Sequence, residues 1–174
     1  MANYAHELAN TRTLLNFRSS LNRDPDDLTV RAALAQAYLK SEALDDATKE
    51  YQHVLSIAPS HVEALLGLGE TYLSLTEKAG TKSGGTEDLY ARAIDLLSKA
   101  IGASESEDRP KTYAKSERAR MYYLRGFTKV QMYEASRPRW REGTRLVQEA
   151  KKDFLKIRED LDPNHPKATR AVER

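Results

Sequence analysis

The chain has 174 residues, of which 40% are hydrophobic and 31% charged, with eight Gly, six Pro and no Cys. That length carries one ordinary domain burying roughly 70% of the surface of its unfolded chain, and the composition excludes collagenous and broadly disordered classes. Without a thiol there is no disulfide framework, thiolate metal site or cysteine nucleophile. The N-terminus lacks a basic-then-apolar leader, and no apolar run approaches the roughly 18 residues of a membrane span, so a cytoplasmic protein is expected.

The net charge of +2 conceals a division. Residues 1–108 hold ten basic and 17 acidic side chains, residues 109–158 hold 15 and five, and residues 159–174 hold three and four. A basic segment joined to an acidic one can steer an acidic partner, a nucleic acid or a second copy of the chain. Its plainer reading is the solvated face of two long helices.

Residues 3–22 carry Leu8, Leu14, Leu15, Phe17 and Leu21 and predict a helix. Phe17 precedes Pro25 by eight residues, as Tyr51 precedes Pro59, so this helix behaves as the second half of a repeat. Pro25 and Pro59 stand 34 residues apart, each between two apolar helical patterns. Within 26–59 come Leu34-Ala35, Tyr38, then Ala47 and Tyr51. Two antiparallel helices approach closely where one offers Gly or Ala, and aromatics fill the gaps beside the contact.

The stretch 60–103 repeats this order with Leu68-Gly69 and Tyr72, then Ala93 to Ile101. Tyr38 to Ala47 is nine residues but Tyr72 to Ala93 is 21, and the turn-rich Glu77 to Thr86 predicts a loop insertion near 76–87. In 110–163 the pattern is looser: Leu124-Arg125-Gly126-Phe127 has one residue displaced, while Ala150 and Phe154 keep their four-residue step. Two lengthened helices are expected to meet near Ser136-Arg137-Pro138, since Pro is tolerated at a helix start and not inside one. Residues 164–174 are too polar for a full repeat helix and read as a short cap or tail, or the start of a removed continuation. An array opening on half a repeat is also what a piece of a longer protein would show.

The 34-residue step, the Leu-Gly pair, the following Tyr, the Ala-x3-aromatic and the closing Pro resemble the tetratricopeptide repeat (TPR) family. Arg31 departs from it at the Trp place. The resemblance implies an all-α fold of antiparallel helix pairs stacked into a right-handed superhelical array, about seven helices plus a short C-terminal cap. It implies that the first helix of each pair lines a concave face, and that the protein is a non-catalytic interaction scaffold or adaptor holding a peptide or helix of another protein. On that geometry the groove would present Gln36, Lys40, Leu66, Glu70, Leu73, Arg120, Tyr123 and Phe127. Tyr123 and Phe127, four residues apart, equally fit packing against a neighbouring helix. The family's carboxylate clamp for acidic chaperone tails is not reproduced: its places hold Ala32, Gln36, Gly67, Arg120 and Leu124, of which only Arg120 is basic.

Motifs for chemistry are sparse. Gly80 to Thr86 lacks the spacing and the preceding strand of a phosphate loop. His6, His53, His61 and His165 are scattered without a ligand partner one turn away. Asp45-Asp46 and Glu87-Asp88 sit at predicted helix starts, where carboxylates answer free N–H groups. No cofactor, metal or catalytic constellation is expected. An alternative function is binding of nucleic acid or an anionic membrane through the basic helices of 109–158, with Arg137, Arg139, Arg141 and Arg145 near Trp140 as the patch. A further alternative is charge-driven self-association into a homo-oligomer.

Overall fold

The computed structural model describes residues 2–80, 86–106, 113–136 and 140–172, with side chains from residue 11 onward except those of 136, 140–142, 166, 169 and 172. Its α-helices are α1 (Ala2–Arg23), α2 (Leu28–Lys40), α3 (Leu44–Ile57), α4 (Val62–Ala79), α5 (Thr86–Glu105), α6 (Lys115–Ser136), α7 (Trp140–Lys156) and α8 (Pro166–Val172). A π-helical turn, Ile157–Leu161, continues α7, and there is no strand among the described residues. The expected all-α array of helix pairs is observed.

Helix starts follow the prolines. Two residues after Pro25, the Asp27 carboxylate accepts from the Thr29 and Val30 backbone N–H groups at 2.9 and 3.0 Å. Two residues after Pro59, His61 Nδ1 accepts from the Ala64 N–H at 3.3 Å, and two after Pro163, His165 Nδ1 accepts from the Ala168 N–H at 3.2 Å. Each cap satisfies donors that the first helical turn leaves without partners. By this register α8 starts as α2 and α4 do. Ala168 is fully buried, as Ala64 is at the corresponding step of α4.

The backbone contacts explain the small residues. Ala35 on α2 and Ala47 on α3 are both fully buried. A side chain on Gly69 would meet Leu97 at 3.2 Å and the Ala93 carbonyl at 3.7 Å. One on Gly126 would meet the Phe154 ring at 3.0 Å and the Ala150 carbonyl at 3.3 Å. The same close approach therefore recurs in all three pairs, and it fixes the third register. Gly126 aligns with Ala35 and Gly69, so Arg125 stands where Leu34 and Leu68 stand, and Lys129 where Tyr38 and Tyr72 stand.

Part of the expected loop near 76–87 is helix. Thr76–Ala79 belong to α4 and Thr86–Glu87 to α5, while residues 81–85 lie outside the described set. The extra residues between Tyr72 and Ala93 mostly lengthen the helices, α4 to 18 residues and α5 to 20, against 13 and 14 for α2 and α3. Helix α4 stops at Gly80, whose φ of 72° lies where an L side chain is disfavoured. Of the expected meeting point at Ser136-Arg137-Pro138, α6 ends on Ser136 and the other two residues are outside the described set.

Apolar burial forms two contiguous clusters. One joins α1 to α5 around Leu34, Tyr51, Val54 and Leu68; the other joins α4 to α8 around Leu65, Ile101, Met121, Phe154 and Ile157. Helix α4 contributes to both and links them into one body.

Candidate functional site

The first helices of the three pairs, α2, α4 and α6, form one wall, and two adjoining cavities lie along it. The larger, about 370 Å³, is lined by Thr29, Ala32, Ala33, Gln36, Tyr51, His61 and Glu63. The smaller, about 190 Å³, includes Gln36, Leu66, Glu70, Glu117, Arg120 and Met121. Gln36 and Glu63 border both, so the two form one groove crossing from α2 to α6.

Its floor depends on Gly67. The Tyr51 ring, rising from α3, passes so close that a side chain on Gly67 would collide with it. That passage lets the Tyr51 hydroxyl donate to Gln36 Oε1 at 3.1 Å. Burial, with Glu70 nearby, pushes the Tyr51 phenol well above its ordinary range, so it stays a neutral donor.

Across the groove Arg120 on α6 donates to Glu70 on α4 at 2.5 Å. Glu70 is only 14% exposed, whereas Arg120 is 59% exposed. Burial raises the Glu70 carboxyl above the usual carboxylate range, and Arg120 offsets part of that rise. Farther along, Tyr113 donates its hydroxyl to Glu63 Oε1 at 2.7 Å, joining the segment before α6 to the start of α4.

Of the residues expected in the groove, Gln36, Leu66, Glu70 and Arg120 line these cavities. Lys40 is exposed on the last turn of α2 and lines neither. Leu73, one turn beyond Glu70, is half-buried against the first core cluster instead, since an apolar side chain with apolar surface in reach covers itself. Tyr123 and Phe127 stack with ring centroids 6.0 Å apart. Tyr123 also packs on Phe154 and His165, at 6.1 and 5.3 Å, and is half-buried there, while Phe127 remains 36% exposed. The groove residues missing from the sequence reading include Tyr51, His61, Val62, Tyr113, Glu117 and Met121. Of these, Tyr51 alone has a sequence trace, in Gly67, the first glycine of Leu66-Gly67-Leu68-Gly69, which leaves the space its ring needs.

Among the described residues, part of the basic segment is spent on internal pairs. Arg125 makes a two-point contact with Asp153, at 3.1 and 2.5 Å, and Lys129 reaches the same carboxylate at 3.0 Å. Lys156 pairs with Asp160 and Arg158 with Glu159. In the basic patch, Arg145 is exposed and lies 3.6 Å from Glu149. Arg137 and Arg139 lie outside the described residues, as does the side chain of Arg141. No described helix is long and apolar enough to cross a membrane.

Neither a protein-family profile nor a curated protein sequence matches the chain. Solved structures do. A crystal structure of MamA superposes with a TM-score of 0.64 at 18% identity, covering 91% of this chain and 72% of that one. A point mutant of MamA gives 0.61 at 22%, covering 98% and 78%. A thermophilic TPR protein of Thermus thermophilus gives 0.54 at 16%, covering 97% and 93%. With the 34-residue step and the small-residue contact repeated in three helix pairs, these likenesses show that this chain has the fold of the tetratricopeptide-repeat helical arrays.

Proposed function

We propose that this chain is a non-catalytic protein-interaction scaffold whose concave groove receives a peptide or a helix of a partner protein. The observation carrying this reading is the groove across α2, α4 and α6. Its bed is apolar, made by Ala32, Ala33 and Leu66, and polar groups stand at its sides in Gln36, Glu63, Glu70 and Arg120. Apolar area supplies affinity to a bound segment, and a few placed polar groups set its register. The rigid pairing of Tyr51 with Gln36 beneath that bed supports a preformed site, which lowers the ordering cost of binding.

A salt-series pull-down tests it with wild type, Ala33→Trp, Tyr123→Ala/Phe127→Ala, and Arg137→Glu/Arg139→Glu/Arg141→Glu. Discrete proteins retained through moderate salt and lost with Ala33→Trp are the expected result. Loss with Tyr123→Ala/Phe127→Ala as well would extend the contact to the stacked ring pair. Nucleic acid or lipid that elutes with salt and depends on the three arginines would overturn the groove reading.

A further inference from the structure

The groove carries charge mainly of one sign. Glu63 borders both cavities and Glu117 borders the smaller. Each carboxylate is held by a neutral donor, Glu63 by the Tyr113 hydroxyl at 2.7 Å and Glu117 by the Ala114 backbone N–H at 3.0 Å. Among the described residues no lysine or arginine pairs with either. His61 Nδ1 lies 3.2 Å from Glu63, but the same nitrogen accepts the Ala64 N–H, so in that state it offers Glu63 no proton. Arg120, the cation that lines the groove, is engaged by Glu70.

The same two cavities are lined by Ala32, Ala33 and Leu66, small or apolar. A long aliphatic stem ending in a cation matches that arrangement. Lysine and arginine lay their methylenes on apolar surface and carry the charge to an acceptor beyond it. A pair between such a cation and a positioned carboxylate is about twice as strong as a neutral hydrogen bond. An acidic side chain in the same place would face two uncompensated carboxylates. At about 370 Å³ the larger cavity is near the lower end of the roughly 300–1,000 Å³ of small-molecule sites, a size suited to a side chain of an extended segment.

We propose that the occupant of this groove is a peptide segment bearing lysine or arginine, its stem resting on Ala32, Ala33 and Leu66 and its cation meeting Glu63 and Glu117. This rests on the reading of the groove as a peptide site and names the chemistry of the partner. The whole chain carries a net +2, so its overall field does not attract such a segment. Recognition is local to the groove.

The test uses fluorescently labelled peptides of one Ala/Ser framework carrying Lys, Arg, Glu or Gln at the same positions, titrated with the full chain by anisotropy at low and moderate salt. The Lys and Arg peptides bind, and the Gln and Glu peptides bind far more weakly. Glu63→Gln/Glu117→Gln lowers affinity for the basic peptides about tenfold or more. Both amides keep the acceptor oxygens that Tyr113 and Ala114 use, so the fold is retained. Asp45→Asn/Asp46→Asn, on exposed positions of α3, leaves binding unchanged. Equal binding of the Glu peptide, or no binding of the basic ones, overturns the proposal. Basic-peptide binding abolished by Ala33→Trp but indifferent to Glu63→Gln/Glu117→Gln overturns the charge assignment and leaves the groove intact as a site. Indifference to both variants removes the groove reading as well.

Discussion

In the α2/α3 pair the residues flanking the small-residue contact are Leu34 and Tyr38, both buried; in the α6/α7 pair the same places hold Arg125 and Lys129. Tyr38 turns its hydroxyl outward to the Arg18 guanidinium, at 2.5 Å. Arg125 and Lys129 instead converge on Asp153, which is 4% exposed, with Ser98 Oγ 3.3 Å from Arg125. The backbones pack in one register in both pairs, so the close contact sets the fold while its flanks tolerate opposite chemistry. The tolerance has a condition, since buried charge is stable only with every partner in place.

Removing the shared anion tests that condition and should give the largest effect. Asp153→Ala leaves Arg125 and Lys129 facing each other, and should destabilise the chain by about 3–5 kcal/mol in urea denaturation. The lower end is favoured because Glu149 already lies 3.6 Å from Lys129 Nζ. A loss below about 1 kcal/mol would mean that the cluster is a surface ion pair in energetic terms. The converse change replaces the cluster with the second repeat's own residues. Arg125→Leu/Lys129→Tyr/Asp153→Leu reproduces Leu68, Tyr72 and Leu96, and should leave stability unchanged or raise it by up to about 4 kcal/mol. Calorimetry would read it directly, and a large loss would show that the third pair's geometry has adapted to charge.

Gly67→Ala addresses a contact between the first and second pairs, the passage of Tyr51 past α4 into the groove. The added methyl collides with the ring, and a stability loss of about 1–3 kcal/mol is expected. Because the clash is with one side chain, Gly67→Ala/Tyr51→Leu should cost less than the sum of the single changes. Additivity in that double-mutant cycle would place the strain elsewhere in the backbone.

These contrasts also mark what was legible in the sequence. The repeat step and the Ala-x3-aromatic pairs were readable because close helix contact demands small residues at short, regular spacing. The third copy was looser, since Lys129 at the Tyr place looks like surface until Asp153 is found beside it from another helix. The turn-rich 76–87 stretch misled because Thr76 to Ala79 contain nothing that forbids a helix before Gly80. In the groove, Gln36, Leu66, Glu70 and Arg120 followed from the resemblance to the repeat family, which puts the first helix of each pair on the concave face. The Tyr113–Glu63 bond spans 50 residues and leaves no local trace, and Glu117 reads as an ordinary first-turn acid.

The smallest expected effect concerns the ion pair that crosses the groove, and its asymmetry follows from burial. Glu70 is buried and its carboxyl is raised, so the folded chain holds that proton more tightly than the unfolded one. The stability associated with it is present below the unfolded value, roughly pH 4, and declines as pH rises through the raised folded value. Arg120 limits the decline. Arg120→Ala should therefore be nearly silent at about pH 4 and cost about 1 kcal/mol near pH 8, a modest figure because the guanidinium is largely exposed and already well solvated. Glu70→Gln removes the buried charge and should stay within about 0.5 kcal/mol of wild type, without the pH dependence. Urea denaturation of both variants across that range decides the point. An Arg120→Ala loss that is the same at both ends would mean that Arg120 acts through packing and not through the Glu70 charge, making the crossing a contact between surfaces, unlike the charge cluster that joins α6 to α7.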